Sequence, residues 1–459
     1  MSDYTNNLYE DSSRTQASIS GTTGTTGAYD TIGTNGTTDT TETIGTAGTF
    51  GTKCAVKKGC TYNFEARHMI EALRSGVPSR AVGACFSEAR PKIMREISGM
   101  LDQVCDTQKS CGKIISGKYG EGKTHLLNTI FNLASANNMV VSYVSLSKET
   151  PMDKLYLFYQ KVIQNTYLPR RQQPGFLHEL ENISANSPVA NEMLLYAAKQ
   201  LETDKLYFLL RSYLNTEDSD ERFILQADME GDFMANAPLK KIYRRIFSQP
   251  AKFNVNFTKT RHCMDYFKFM SHLFLTMGYQ GWVILVDETE LMGRLGKKAR
   301  LNAYKNMANF LFQDNCPEAT CTFFALAASY PEDVIEGRHE FDNLEAAFPD
   351  QPEIQNPIRA VLNLLNDAQQ LQPLTTSEIN EVLLKIQDFH GQAYGWTPNL
   401  SVATLARSTQ SGGYLLRTKI RAAIEFLDQL YQYGKAGKTT INELGQETFE
   451  EEVPEIADV

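Results

Sequence analysis

The sequence feature that most constrains the fold is an eight-residue motif that matches the pattern G-x-x-x-x-G-K-[ST] at every position. The motif consists of Gly117, Lys118, Tyr119, Gly120, Glu121, Gly122, Lys123 and Thr124. A short apolar stretch, 113–116, precedes it, and a helical pattern, 124–136, follows it. Between a strand and a helix, such a loop turns its backbone N–H groups toward phosphates. A chance match is the weaker interpretation, because both flanking elements are present.

The motif also assigns roles to its side chains. The Lys123 ammonium would contact the β- and γ-phosphates of a nucleotide, where it acts in catalysis as well as in binding, and the Thr124 hydroxyl would bind Mg²⁺. A second strand candidate, 140–146, is rich in β-branched residues. Together these elements predict a compact βαβ unit in an α/β fold with a parallel sheet.

A second buried strand candidate ends in two acids. Residues 282–286 are apolar, and Asp287 and Glu288 follow them directly. In parallel α/β sheets the carboxyl ends of the strands hold the ligands, so both carboxylates are expected at the nucleotide site. Asp287 would hold Mg²⁺ through water, and Glu288 would act as general base on an attacking water. The second acid favours hydrolysis over transfer to a small molecule, although many strands end in acidic loops.

A third strand candidate, within 322–328, runs directly into Ser329. In P-loop NTPases with an additional strand, a polar residue at this edge lies between the acidic carboxylates and the γ-phosphate. Ser329 is therefore a candidate sensor of the nucleotide. A second interpretation has equal support from the residues: Ser329 simply starts a loop before Pro331.

The C-terminal helical region contains two arginines four residues apart, Arg417 and Arg421. They flank an apolar stripe that starts at Leu416, and a guanidinium there would reach a phosphate bound by the core. We expect Arg417 to be the ATP contact. The alternative for Arg421 is a surface ion pair with Glu425.

Charge is distributed unevenly along the chain, whose formal net charge is −9. Residues 1–52 hold six acids and one base, residues 441–459 hold seven acids and no base, and the remainder carries a net charge of +3. This near balance predicts no DNA-binding surface and excludes none. A basic cluster follows the acidic strand, and we expect it to be a solvated face rather than a trans-acting arginine or a nucleic-acid contact. Its members are Arg294, Lys297, Lys298 and Arg300.

Composition also narrows the class of protein. No apolar run approaches the length of a membrane span, and the first twenty residues lack the pattern of a secretory signal. The eight cysteines contain no CxxC pair, and the seven histidines show no metal-ligand spacing. These patterns predict a cytoplasmic protein with reduced thiols and no membrane partner.

Composition and periodicity together divide the chain into five parts. Residues 1–53 are a Gly/Thr-rich arm that we expect to be disordered, because it lacks apolar side chains. A helical segment, 54–111, precedes the nucleotide-binding core, 112–347, which contains a helical insert at about 147–281. A helical lid, 348–440, and an acidic tail, 441–459, complete the chain.

The phosphate loop, the strand at 283–288 and the lid segment at 412–428 together resemble those of the BREX-associated, BrxD-like ATP-binding proteins. This bacterial phage-defence P-loop family is related to AAA+ and STAND ATPases. The stretch Ile70 to Arg80, IEALRSGVPSR, also resembles the family's N-terminal signature. The Gly-Arg pair usual in the AAA+ N-terminal box appears here as Ala89-Arg90. The resemblance covers roughly residues 65–435.

The resemblance implies ATP as ligand, Mg²⁺ as cofactor, hydrolysis to ADP and phosphate, and action beside other defence proteins, often a helicase. Our first interpretation is therefore an AAA+/STAND-like ATPase that couples its cycle to remodelling of a partner. The alternative is a nucleotide-dependent switch or scaffold that recruits the partner without hydrolysis. The sequence neither predicts nor excludes contact with DNA or formation of an oligomer.

Overall fold

Five stretches of the chain are described by the computed structural model: residues 64–75, 80–86, 90–313, 316–409 and 415–437. The arm expected at 1–53 and the acidic tail expected at 441–459 lie outside them. So do residues 76–79 of the N-terminal signature, Ala89, and the glycines that precede the second half of the lid.

Six strands form one sheet, and four of them were expected from the sequence. In chain order they are β1 Cys111–Gly117, β2 Val140–Ser145, β3 Thr166–Tyr167, β4 Trp282–Asp287, β5 Thr320–Ala327 and β6 Gln369–Gln370. Their spatial order is β3-β2-β4-β5-β1-β6, and every pair is parallel except the antiparallel β2–β3 pair. The predicted α/β class with a mainly parallel sheet is confirmed.

The register of the parallel strands brings their carboxyl ends to one edge of the sheet. Gly117 at the end of β1 lies opposite Ala327 at the end of β5, and Asp287 at the end of β4 lies opposite Ser145. Since β5 separates β1 from β4, the phosphate loop and the acidic pair leave the same edge two strands apart.

Seventeen α-helices surround this sheet within the part of the chain that the structure describes. The first nine are α1 Phe64–Ser75, α2 Arg80–Cys85, α3 Pro91–Thr107, α4 Lys123–Ala136, α5 Leu155–Gln164, α6 Leu177–Glu181, α7 Pro188–Lys199, α8 Lys205–Asn215 and α9 Ser219–Ala227. The other eight are α10 Asn236–Phe247, α11 Lys259–Thr276, α12 Lys297–Leu311, α13 Glu340–Ala347, α14 Pro352–Asn366, α15 Thr376–Tyr394, α16 Val402–Ser408 and α17 Leu416–Tyr433. No helix among the described residues has the length and apolar character needed to cross a membrane.

The structure shows two features that the sequence patterns do not indicate. Helices α7 and α8 are separate elements, because the buried Asp265 carboxylate accepts hydrogen bonds from the backbone N–H groups of Glu202 and Thr203 between them. The region after 348 is not entirely helical, since β6 pairs with Ile115 and Ser116 of β1. Both features depend on residues far away in sequence.

Apolar side chains cover both faces of the sheet. In β4, every residue of which is buried, Trp282, Ile284 and Val286 point into the cluster formed with the helical insert. Val283 and Leu285 point into a second cluster with α3 and α4. This two-sided burial explains why the strands are continuous apolar runs rather than alternating ones.

A third apolar cluster joins the two ends of the described chain. Ile70 and Leu73 of α1 pack with Leu383 of α15 and with Ile424 and Leu427 of α17. An ion pair reinforces this packing: Arg74 donates to the Asp428 carboxylate at 2.9 Å. The N-terminal helices therefore lie in the same cluster as the C-terminal ones.

One member of the basic cluster after β4 does not behave as expected. Arg300 is buried, and its guanidinium donates to Oε1 of the equally buried Glu340 at 2.8 and 3.1 Å. The prediction of a solvated face is wrong for Arg300, because α13 supplies an acid that the local sequence does not show. Lys297 and Lys298 are exposed.

This buried pair allows a test of the packing. Glu340→Ala leaves the Arg300 charge buried without its carboxylate, so the free energy of unfolding should fall by about 3–5 kcal/mol. Glu345→Ala on the same helix is the matched control, since Glu345 pairs with Arg359 at the surface and its loss should cost less than about 1 kcal/mol. Urea unfolding measures both values, and equal losses would contradict the assignment.

Candidate functional site

A cavity of about 1310 Å³ opens at the edge where β1, β4 and β5 end. Seven of the eight phosphate-loop residues line it, and Gly117 is buried at the end of β1. Asp287, Glu288, Ser329 and Arg417, which the sequence also singled out, line the same cavity, whereas Arg421 does not. Residues as far apart in sequence as Lys118 and Arg417 thus surround one space.

The phosphate loop is held in a closed turn by its own groups. The Glu121 carboxylate accepts a hydrogen bond from the Lys118 N–H at 2.8 Å, and Lys123 Nζ donates to the Gly117 carbonyl at 2.8 Å. Gly120 and Gly122 have φ angles of 77° and 95°. Residues with a Cβ rarely adopt this left-handed region of backbone conformation. The glycines of the motif therefore fulfil a backbone requirement of this turn.

Arg90 supports the loop from outside the motif. Its Nη2 donates to the Glu121 carbonyl at 2.6 Å, and its Nη1 donates to the Gln372 carbonyl. Burial lowers the pKa of this guanidinium, while the nearby Glu121 opposes that shift. Arg90 thus connects the phosphate loop to the segment just after β6. The sequence marked this position only through its resemblance to a family signature.

The Asp287 carboxylate is buried at the end of β4 with both oxygens oriented. Oδ2 accepts a hydrogen bond from the Tyr143 hydroxyl at 2.7 Å, and Oδ1 accepts one from the Glu288 N–H at 2.9 Å. Burial and the adjacent Asp287 charge raise the pKa of Tyr143, which therefore remains a donor. The sequence does not single out Tyr143, because this residue lies on β2 in an ordinary strand pattern.

Glu288 occupies a different environment from its neighbour. Its side chain is exposed at the cavity, and its backbone adopts a left-handed conformation with φ 57°. Such a conformation is uncommon for a residue with a Cβ and turns the chain sharply away from β4. The two consecutive acids therefore differ in exposure, since Asp287 is buried and Glu288 is exposed at the cavity.

A third acid, Glu290, lies in the same cavity and was not identified from the sequence. Its carboxylate accepts a hydrogen bond from the backbone N–H of Ala327, the last residue of β5, at 3.1 Å. Burial raises the pKa of Glu290, Lys123 opposes this shift, and the charges of Glu288 and Asp287 add to it. Glu290 connects the turn after the acidic strand to the strand that precedes Ser329.

Ser329 lies two residues beyond β5, in the wall of the cavity. Immediately before it, the Ala328 N–H donates to the Gly117 carbonyl at 3.1 Å. This bond fixes the end of β5 against the start of the phosphate loop. Ser329 itself lies in the turn between β5 and the helical turn that starts at Pro331.

Arg417 brings the lid into contact with the loop. Its Nη1 donates to the Tyr119 hydroxyl at 2.9 Å, and its guanidinium carbon lies 5.9 Å from the centroid of the Tyr119 ring. A Cβ built on Gly120 would lie 3.4 Å from Leu415, so the loop and the start of α17 are close neighbours. The Nε of Arg417 is buried and has no hydrogen-bond partner among the described residues.

The oxygen donors in the cavity fit Mg²⁺ only together with a nucleotide. Thr124 and Asp287 offer a hydroxyl and an oriented carboxylate, the hard ligands that this ion takes alongside phosphate oxygens. Within the described ranges no group of three or more His, Cys, Asp or Glu side chains could hold a metal ion by itself. The donor set therefore suits an ion that arrives with phosphates.

Comparison with known protein families identifies a match. The family described as BREX system ATP-binding protein BrxC/D matches residues 63–182 and 249–443, which together exceed half of the chain. A search of curated proteins found no match. The matched ranges contain the phosphate loop, the acidic strand, Ser329 and Arg417. Residues 183–248, within the helical insert, lie outside the match.

The raised pKa of Glu290 predicts a pH-dependent stability. A carboxyl group whose folded-state pKa exceeds its unfolded value binds more protons when folded, so it lowers stability as pH rises through these two values. Glu290→Gln should therefore make the nucleotide-free protein more stable than the parent at pH 7.5 and equally stable near pH 4. Urea unfolding at both pH values tests this, with the exposed Glu353→Gln as control. A parent more stable than Glu290→Gln at pH 7.5 would contradict it.

Proposed function

We propose that the chain, which belongs to the family of the BREX system ATP-binding protein BrxC/D, binds ATP with Mg²⁺ in the cavity beside its phosphate loop and hydrolyses it. One observation carries the proposal: the phosphate loop, two acids at the end of β4, Ser329 and Arg417 line a single cavity. The strand order, with β5 between β1 and β4, supports a P-loop NTPase of the additional-strand, AAA+-like type.

The phosphate loop would bind the triphosphate. Its backbone N–H groups and the N-terminus of α4 present partial positive charge at the same place. Lys123 now donates to the Gly117 carbonyl, and its ammonium would exchange that acceptor for β- and γ-phosphate oxygens. A charge-assisted contact with a phosphate is stronger than one with a carbonyl, so this exchange favours the nucleotide-bound state.

Thr124 and Asp287 would hold Mg²⁺ with the β- and γ-phosphates, where the ion offsets their negative charge. The hydrogen bond from Tyr143 keeps the Asp287 carboxylate in a fixed orientation, because a buried phenol with a raised pKa donates and does not ionise. Tyr143 is therefore a positioning residue for the metal ligand.

Glu288 would act as general base. Its exposed side chain lines the cavity directly after Asp287, a position from which the carboxylate can accept a proton from a water that attacks the γ-phosphorus. The bond between that phosphorus and the β–γ bridging oxygen breaks, and ADP and inorganic phosphate are the products. Ser329 and Arg417 would contact the γ-phosphate and report its loss.

The lid offers a route from nucleotide to partner. Arg417 at the start of α17 already contacts Tyr119 of the loop, and α17 packs on α1 and α15. We infer that the bound nucleotide shifts the position of this helical cluster and that the shift acts on another protein of the phage-defence system, with a helicase as one candidate. The same contact would serve a non-hydrolysing switch, which is the second candidate function.

Two variants separate binding from chemistry. Lys123→Ala removes a phosphate contact and should weaken ATP binding more than about tenfold, because a hydrogen bond to a charged group contributes about 1.5–3 kcal/mol.

Glu288→Gln keeps ATP binding but cannot accept the water proton, so turnover should fall about a hundredfold or more. Calorimetry and phosphate release measure the two quantities. ATP binding by a parent that shows no turnover would favour the switch, and unchanged binding by Lys123→Ala would refute the proposed site.

The lid contact predicts discrimination between nucleotides. If Arg417 binds the γ-phosphate, Arg417→Ala should reduce the ratio of ATP to ADP affinity by about ten- to a hundredfold and change ADP affinity much less. Arg421→Ala is the matched control, since Arg421 lies one turn further along α17 and does not line the cavity. Titration of each protein with ATP and with ADP measures this ratio. An unchanged ratio of ATP to ADP affinity in Arg417→Ala would exclude this arginine as the sensor.

A further inference from the structure

The helical insert contains a strongly basic stretch that the ATP site does not use. Residues 236–261 hold seven lysines and arginines and no acid, although residues 53–440 as a whole are nearly neutral. The stretch covers α10, the segment that leads to α11, and the first residues of α11. Helix α10 falls in the part of the chain that the family does not match, so its charge is a property of this chain.

The charges of α10 lie on its solvent side. Leu239, Ile242 and Tyr243 are buried, and Lys240 and Arg244 are exposed on the opposite side. Positions 236, 240 and 244 are spaced four residues apart, so Asn236, Lys240 and Arg244 form one row with steps of about 6 Å. The row therefore presents two positive charges, those of Lys240 and Arg244, along one line.

Most of these cations are not neutralised by the protein. Arg245 pairs with Glu221, and Arg261 pairs with Glu202. The other five form no ion pair with any acid in the portion of the chain that the structure describes; they are Lys240, Lys241, Arg244, Lys252 and Lys259. An unpaired group of this size attracts a polyanion.

Aromatic rings lie beside the row. Lys240 Nζ is 5.2 Å from the Phe253 ring centroid, and the half-buried rings of Phe233 and Phe257 are stacked at 6.1 Å. A recess of about 290 Å³ opens at the N-terminal end of α10, lined by Phe233, Asn236, Phe257 and Lys259 among others. The Oδ1 of Asn236 is buried there and accepts no hydrogen bond within the described residues.

This combination fits one class of ligand. Exposed cations follow a phosphate backbone, and half-buried aromatic rings stack with unpaired bases. A duplex keeps its bases inside the stack, and an acidic peptide has no flat ring for the recess. We propose that the row Asn236–Lys240–Arg244 and the adjacent recess bind single-stranded nucleic acid, independently of the ATP site.

The test uses the full chain and a fluorescent 20-nucleotide single-stranded DNA, with binding followed by anisotropy at several salt concentrations. Lys240→Glu/Arg244→Glu should weaken binding more than about tenfold at 100 mM salt. It should also reduce the slope of log affinity against log salt by about 1.4, since each phosphate contact on a single strand contributes about 0.7. Lys109→Glu/Lys305→Glu changes the same charge at exposed positions elsewhere and should leave both values near those of the parent.

Two further ligands test the recess. An abasic strand of the same length should bind the parent about fivefold or more weakly, because each stacked base contributes about 1–3 kcal/mol. Poly-glutamate of matched charge should bind weakly as well. Equal binding of all three ligands, or equal losses in the two double variants, would overturn the proposal and leave a general polyanion surface. Lys123→Ala should keep DNA binding, so failure here is distinguishable from failure of the ATP site.

Discussion

The carbonyl oxygen of Gly117 joins the parts of the nucleotide site. It accepts hydrogen bonds from Lys123 Nζ at 2.8 Å and from the Ala328 N–H at 3.1 Å. One atom therefore fixes the lysine of the phosphate loop and the end of β5, and the Glu290 carboxylate then ties β5 to the turn after β4 through the Ala327 N–H. Since these contacts depend on the parallel register of β1, β5 and β4, any slip of one strand would displace the whole site.

The lid and the loop are coupled by contacts that a nucleotide would modify. Arg417 and Leu415 lie against Tyr119 and Gly120, while α17 packs through Ile424 and Leu427 onto α1 and α15. Because that cluster also contains the N-terminal helices, a displacement of α17 would be transmitted to both ends of the described chain. Well-packed clusters move as units, so a small displacement at the bound phosphate would also move helices that lie far from it.

The sequence by itself determined which residues the proposed chemistry uses. The phosphate loop, the acidic pair at Asp287 and Glu288, and the strands around them are contiguous stretches, so their spacing alone carries the information. The expected family is confirmed by a match over more than half of the chain, and the parallel α/β sheet is confirmed by the strand pairing. Local patterns suffice here because backbone turns, strand burial and helix starts depend on neighbouring residues.

Only the tertiary structure decided which distant residues support that chemistry. Arg90, Tyr143 and Glu290 reach the site through single hydrogen bonds to groups whose position depends on the assembled sheet. The buried pair of Arg300 with Glu340 and the addition of β6 beside β1 follow the same rule, since each partner lies 40 or more residues away. A sequence pattern describes a periodicity along one segment, whereas these contacts are selected by packing between segments, and no local signal specifies them.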